Sequence, residues 1–129
     1  MAGCLIISHG KIAQAYIDVC RQMVGRSDSL FTLDCSILTV KDLYKEMRSL
    51  LEKEKLSDGL IILVSLRGGS CWNVAAKISK EYPNVEVISG LNLPLILSFL
   101  TKKDKYKFSE LKEIVYKDGI RGVSRIDIQ

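Results

Sequence analysis

The sequence predicts an α/β protein with a doubly wound sheet, and three observations support that fold class. Short apolar runs alternate with segments of helical periodicity along the 129 residues, which is typical of repeated β-α units. The run at residues 60–64 has no alternating polar positions, so helices are expected to cover both of its faces, as in a parallel sheet. Glycine, proline and capping residues lie at the junctions. The predicted order is β-α-β-α-β-α-β-α-α-β, with right-handed crossovers.

The first half of the chain is predicted to form two strands and two helices. Residues 3–8 form a continuous apolar run that indicates a buried strand, and residues 30–35 indicate a second. Between them, residues 11–24 carry apolar side chains at helical spacing, and Gly25 is expected to end that helix. A further helix is predicted to begin at Thr39, because an acidic residue follows three positions later, as in a capping box.

The third and fourth strands repeat this pattern. Residues 60–64 and 85–89 are the predicted strands, and a helix from about residue 70 to residue 82 lies between them. Pro83 follows directly, and the residue before a proline is disfavoured in a helix. The second half therefore continues the parallel arrangement.

Two more helices and a short alternating segment complete the prediction. Asn92 is expected to cap the fourth helix, with Pro94 in its first turn, where a missing N–H costs nothing. A last helix is predicted over residues 109–117 and is expected to end at Gly119. Polar and apolar residues alternate at 125–128, which favours an edge strand.

Length and composition indicate a single globular domain without a membrane-spanning segment. With 47% hydrophobic and 26% charged residues, residues 1–129 are expected to form one globular domain. The apolar runs are too short to cross a bilayer and the first residues do not resemble a signal peptide, so a cytoplasmic location is predicted. The net charge of +4 is mild. The basic run at residues 101–107 is interpreted as a solvated helix end, so no nucleic-acid partner is expected.

The four cysteines do not form a metal motif, because their spacing is irregular and no CxxC pair occurs. Cys4 and Cys35 fall within predicted strands and Cys20 on an apolar helix face. These three are interpreted as small buried thiols. Cys71 lies beside a glycine-containing loop and is the one candidate for an exposed, reactive thiol.

The only histidine, His9, follows the first strand and directly precedes the first helix. A second segment of interest, residues 65–73, follows the third strand. The carboxyl ends of parallel strands meet at one edge of an open sheet, where ligands bind. We therefore expect the two segments to lie together.

The second segment has the features of an anion site. Gly68 and Gly69 let the backbone approach a ligand closely, and Ser70 is predicted to be the N-cap of the third helix. The free N–H groups and the dipole of a helix start favour a negative charge. A turn of this kind, or a histidine at a strand end, is often only structural. Together they suit phosphoryl transfer, in which an imidazole nitrogen attacks phosphorus and N–H groups hold the phosphoryl oxygens.

Three segments carry a resemblance to a known family. They are Ser8-His9-Gly10 after the first strand, GGSCWN at residues 68–73 after the third, and GLNLP at residues 90–94 after the fourth. Their order and positions resemble the IIA domain of the mannose/fructose-type sugar phosphotransferase system (PTS EIIA, mannose family). The resemblance extends over nearly the full length of the chain.

This resemblance implies a flavodoxin-like sheet, mostly parallel with an antiparallel C-terminal edge strand, and a homodimer. It implies that His9 accepts a phosphoryl group from HPr and passes it to an EIIB protein of a membrane sugar permease, with no cofactor and no metal. Gly69, Ser70 and Asn73 match the family positions that shape the phosphate site. The predicted activity is that of a phosphotransferase whose phosphohistidine serves sugar transport.

Two positions depart from the family pattern. Ser65 stands at the end of the third strand, where the family commonly has an aspartate that orients the active histidine. A serine can accept a hydrogen bond but carries no charge. Arg67 stands where aromatic or apolar residues are usual. Its guanidinium either binds the phosphoryl group bidentately or lies in solvent. Leu66 is expected in the core, whereas Trp72 is either a core residue or part of an apolar docking patch.

Three alternatives to a phosphocarrier stay open. Ser65 and Arg67 also fit a regulatory or degenerate relative that acts by binding a partner. The histidine after the first strand also fits a phosphotransfer subunit of a dihydroxyacetone kinase, although the glycine and Asn-Leu-Pro segments fit the mannose type better. A small-molecule enzyme with His9 as general base is least favoured, because no second titrating side chain is evident near it in the sequence.

Overall fold

A computed structural model of the chain describes residues 2–127. Over these residues the chain forms a four-stranded sheet of order β2-β1-β3-β4 in which every pairing is parallel. The strands are β1 (Ala2–Ser8), β2 (Leu30–Asp34), β3 (Gly59–Val64) and β4 (Val85–Ser89). The predicted α/β, doubly wound fold class is confirmed.

Helices cover both faces of the sheet. They are α1 (Ile12–Val24), α2 (Val40–Lys53), α3 (Ser70–Glu81), α4 (Leu93–Lys102) and α5 (Phe108–Arg121). Helices α1, α4 and α5 pack on one face, and α2 and α3 pack on the other. None of the helices in this part of the chain is long and apolar enough to span a membrane.

The central strand β1 supplies both hydrophobic cores. Its side chains alternate between the two faces of the sheet, so Cys4 and Ile6 pack with α1, α4 and α5, while Leu5 and Ile7 pack with α2 and α3. Both β1 and β3 are buried almost throughout. This explains why their sequences show no polar alternation.

Several helix ends lie where local chemistry predicted them. Gly25 ends α1 in the left-handed conformation, with φ +76°. The Thr39 hydroxyl accepts a hydrogen bond of 3.1 Å from the Asp42 N–H, and Asn92 Oδ1 accepts one of 2.9 Å from the Leu95 N–H. These caps fix where the chain leaves each loop.

The end of the last helix was predicted wrongly. Gly119 does not end α5, which continues to Arg121. A Cβ atom at Gly119 would lie 2.2 Å from Leu95 Cδ2. The glycine therefore allows α5 to approach α4 closely, a packing role that local sequence does not reveal.

The predicted C-terminal edge strand is not formed by the residues that the structure describes. Residues 123–127 lie outside any strand, and Ile128 lies outside the described residues. The side chains of Val123 and Ile126 are 81% and 87% exposed. A strand needs a hydrogen-bonding neighbour, and this segment has none within the described chain.

The sheet order identifies one edge as the place for a site. From β1 the chain crosses to β2 on one side, and from β2 it returns to β3 on the other side of β1. The direction of winding therefore reverses between β1 and β3, and open α/β sheets bind ligands in the crevice at such a switch point. The loops that follow β1 and β3 flank this crevice.

Candidate functional site

His9 lies in a short loop at the carboxyl end of β1, with its side chain exposed. Hydrogen bonds hold the loop on both sides of the histidine. The buried Ser8 Oγ accepts a bond of 3.0 Å from the Ala13 N–H in α1. The Gly10 N–H donates one of 2.9 Å to Asp34 Oδ1, and Gly10 adopts φ +66°, which favours glycine.

A cavity of about 330 Å³ joins the loop after β1 to the loop after β3. Four of the predicted site residues line it, namely His9, Ser65, Gly69 and Ser70. The remaining wall is mostly apolar and contains two thiols. Its residues are Ile7, Ser8, Cys35, Leu38, Val40, Leu43, Val64, Leu66 and Cys71.

The start of α3 offers unpaired backbone donors to this cavity. Ser70 was predicted to be the N-cap, but the cap is Gly69, with φ −81° and ψ 179°, and Ser70 is the first helical residue. Gly69 has no side chain to bond the first turn, while its carbonyl accepts the Asn73 N–H at 3.0 Å. The N–H groups of residues 70–72 therefore have no intrahelical partner. Such a helix start is suited to an anion.

The other predicted phosphate-binding residues lie outside the cavity wall. Gly68, at φ +86°, gives the loop its left-handed turn. Arg67 and Asn73 are exposed beside it. Within residues 2–127, the Arg67 guanidinium makes no ion pair with a carboxylate.

Two residues near His9 were missed by the sequence analysis. Cys35 Sγ lies 3.5 Å from His9 Nδ1 and 3.8 Å from Nε2, and the thiol donates to the Ser8 carbonyl at 3.4 Å. Hydrogen bonds from Ser36 and from the Gly10 N–H, with the nearby His9, lower the pKa of Asp34. The predicted parallel sheet could have indicated both residues. The carboxyl end of β2 lies at the same sheet edge as the end of β1, so residues 34 and 35 lie near His9.

The burial of several residues differs from expectation. Cys4 and Cys20 are buried as predicted, and burial raises the pKa of the Cys4 thiol. Cys35 is only partly buried, because β2 ends one residue earlier. Leu66, expected in the core, is 77% exposed in the loop after β3, whereas Trp72 is partly buried against the core beneath α2 and α3.

Over residues 2–127, no three His, Cys, Asp or Glu side chains are grouped so as to hold a metal ion. The polar groups of the site are an imidazole, two thiols, serine hydroxyls and backbone N–H groups.

Solved structures of phosphotransferase components share this fold. Phosphotransferase system component EIIA from Streptococcus agalactiae superposes with a TM-score of 0.84 over 97% of this chain and 97% of that chain, at 19% identity. The mannose/sorbose specific IIA subunit from Enterococcus faecalis gives a TM-score of 0.81 over 99% and 96%, at 22% identity. The chain therefore has the fold of these EIIA components.

Sequence comparison gives the family. Residues 3–116 match the family described as PTS system fructose IIA component, EIIA-man, and the chain belongs to it. The Escherichia coli PTS system mannose-specific EIIAB component is 25% identical over 95% of this chain but only 38% of its own length. The chain thus spans about two fifths of that relative. It covers 82% of the Klebsiella pneumoniae PTS system sorbose-specific EIIA component, at 26% identity.

Proposed function

We propose that this protein is a phosphocarrier of a sugar phosphotransferase system. His9 accepts a phosphoryl group from phospho-HPr and passes it to an EIIB protein. One observation carries the proposal: His9 and the start of α3 line the same cavity. The helix start has no side-chain cap, so its N–H groups can bind a phosphoryl group next to the imidazole. Family membership supports the same role.

The chemistry follows from these groups. An imidazole nitrogen of His9 attacks phosphorus as the N–P bond in phospho-HPr breaks, so the phosphoryl group moves between two histidines. The N–H groups at the start of α3 hold the phosphoryl oxygens, and the helix dipole stabilises their charge. Catalysis by positioning and electrostatics suffices for such a transfer, and no cofactor or metal enters the proposed reaction.

The side chains around the phosphate site take separate roles. Ser65 faces the cavity with His9 and offers a hydroxyl in place of a carboxylate. Asp34 positions the histidine loop through the Gly10 N–H. Arg67, Gly68 and Asn73 border the glycine turn, and the exposed guanidinium of Arg67 can reach an incoming phosphoryl oxygen.

An exposed apolar rim near His9 supports docking of protein partners. Ile12 follows the histidine loop, Ile37 and Val40 precede or begin α2, and Leu66 lies after β3. All four belong to the sheet edge that carries the site. We place HPr and the EIIB protein on this edge in turn, in the cytoplasm. The family resemblance also suggests a homodimer, and sedimentation equilibrium tests it, since a monomer at every concentration would contradict it.

A labelling experiment tests the carrier role. The protein is incubated with labelled phosphoenolpyruvate, enzyme I and HPr, and an acid-labile, base-stable phosphoryl group is expected. Because His9 is the only histidine, His9→Ala should abolish labelling. Labelling that persists in this variant would show that His9 is not the phosphorylated residue. A wild-type protein that is never labelled would favour a regulatory, partner-binding relative.

A further inference from the structure

Two thiols meet at the wall of the His9 cavity. Cys35 follows β2 and Cys71 lies in the first turn of α3, and both line the cavity and are only partly buried. Cys35 is also close enough to Cys71 to help raise the pKa of that thiol. They are thus neighbours in space although 36 positions separate them in the sequence.

The two thiols have different surroundings. Burial, and then the hydrogen bond with Cys35, raise the pKa of Cys71 to about 12, so Cys71 stays protonated at neutral pH. Cys35 instead lies beside the imidazole, with its Sγ atom 3.5 Å from His9 Nδ1. Since the thiolate is the reactive form of cysteine, Cys35 is the attacking sulfur and Cys71 the resolving one.

We propose that Cys35 and Cys71 are a modification site, at which a peroxide converts the two thiols into a reversible disulfide that blocks His9. The disulfide itself depends only on the two thiols. Its effect on phosphoryl acceptance rests on the proposed carrier function.

The reaction balances with hydrogen peroxide as the oxidant. The Cys35 thiolate attacks one peroxide oxygen, the O–O bond breaks, and a sulfenic acid forms while hydroxide takes up a proton as water. Cys71 sulfur then attacks the Cys35 sulfur, and the S–O bond breaks as the disulfide forms. The departing hydroxide takes the Cys71 proton as a second water. Two electrons pass from the two thiols to the peroxide.

The location of the bond explains its effect. Cys35 follows β2 and Cys71 lies in the first turn of α3, so a disulfide between them joins two segments that line the cavity of about 330 Å³. The link also holds Cys71, and with it the first turn of α3, against the sulfur beside His9. The phosphoryl group then loses both its space and the N–H groups that receive it.

The other two cysteines provide an internal control. Cys4 and Cys20 are fully buried in the core on the opposite face of the sheet. Peroxide in solution does not reach them while the protein is folded. Oxidation should therefore be confined to the partly buried pair.

Peptide mapping tests the proposal. The reduced protein is treated with hydrogen peroxide, alkylated and digested with trypsin, which leaves the four cysteines in peptides 1–11, 12–21, 27–41 and 68–77. We expect a cross-link between peptides 27–41 and 68–77, with the other two peptides alkylated. In parallel, the oxidised protein should lose labelling by phospho-HPr and regain it after reduction with dithiothreitol.

Matched variants separate the possible outcomes. Cys20→Ala should keep the cross-link, whereas Cys71→Ser should lose it and leave a Cys35 sulfenic acid that dimedone traps. Oxidation of Cys35 without the cross-link, or any other pairing, would overturn the proposal. A cross-linked protein that is labelled normally would overturn the blocking of His9. If the reduced protein is not labelled, the carrier function fails while the peptide map still decides the disulfide.

Discussion

At the scale of single residues, the environment of His9 depends on three side chains at the ends of β2 and β3, the two strands that flank β1. Ser65 at the end of β3 lines the same cavity as the imidazole. Cys35 contacts the ring, and Asp34 holds the loop through Gly10, both from the end of β2. The negative charge nearest to the loop thus comes from β2, whereas β3 contributes only a hydroxyl.

Replacing Ser65 by aspartate should speed phosphoryl transfer to His9. A carboxylate at the cavity wall orients the imidazole and stabilises positive charge on the ring. About tenfold in rate corresponds to ~1.4 kcal/mol of differential interaction, and a gain of this size is expected from rapid-quench kinetics with phospho-HPr. Ser65→Asn, which has nearly the same shape without the charge, is the control. An unchanged or slower rate for the aspartate variant would contradict the prediction.

The sequence reveals some of these residues more readily than others. His9 and the glycine turn are visible because they follow strongly apolar strands, and parallel strands end at one edge. Cys35 was interpreted as a small core residue of β2. The strand ends one position earlier, at Asp34, so the thiol lies in the loop beside His9. Leu66 was assigned to the core on its hydrophobicity alone, but the residue lies beyond the end of β3, where no helix covers it.

At the scale of elements, the start of α3 has no side-chain cap, and the space around its N-cap residue, Gly69, is empty. A side chain at Gly69 would meet no atom within 4 Å, and its φ of −81° is allowed for any residue. The position therefore tolerates substitution, and helix starts generally favour aspartate or asparagine there. The glycine leaves the N–H groups of the first turn available to a ligand.

Gly69→Asp should separate stability from function. The carboxylate caps the first turn, so the free energy of unfolding should stay equal or rise by a few tenths of a kcal/mol, as measured in urea. The same carboxylate occupies the anion site, so labelling of His9 should fall by about tenfold or more. Gly69→Ala, which fills the space without capping, should remain labelled. An aspartate variant labelled at the normal rate would show that phosphate does not use these N–H groups.

The packing of α5 on α4 leads to a second prediction at this scale. Leu95 is 2% exposed, and a Cβ at Gly119 would lie 2.2 Å from its Cδ2 atom and 2.6 Å from its Cγ atom. Gly119→Ala should lower the free energy of unfolding by about 1–3 kcal/mol through overpacking. Helix propensity alone predicts that the free energy of unfolding rises by up to ~1 kcal/mol. The sign of the change measured by urea unfolding therefore decides whether packing or propensity dominates at this position. Lys117→Ala, on the exposed side of the same helix, should change stability little.

Elements were predicted well where the deciding contacts are local and poorly where they are distant. The bounds of β1 and β3 and the caps at Thr39 and Asn92 follow from neighbouring residues. The end of α5 does not, because Gly119 is required by a leucine 24 positions earlier. The alternating segment at 125–128 has strand-like periodicity, but periodicity cannot supply the neighbouring strand on which pairing depends.

At the scale of the whole molecule, the apolar rim and the histidine occupy one end of the sheet. Leu66→Ser should raise KM for phospho-HPr about fivefold, or ~1 kcal/mol of lost contact. Because the side chain is 77% exposed, the free energy of unfolding should change by less than about 0.5 kcal/mol. Met23→Ser, 58% exposed at the far end of α1, is the matched control. Equal KM values for both variants would exclude the rim from docking.

The position of β1 also has a mechanical consequence. This strand is paired on both edges and covered on both faces, so its amides should exchange with deuterium only when the whole molecule opens. The histidine loop grows directly from that strand and is tied to α1 and to Asp34. Under the proposed function, the imidazole is therefore a rigid acceptor, and each partner has to bring its own reactive group to this loop.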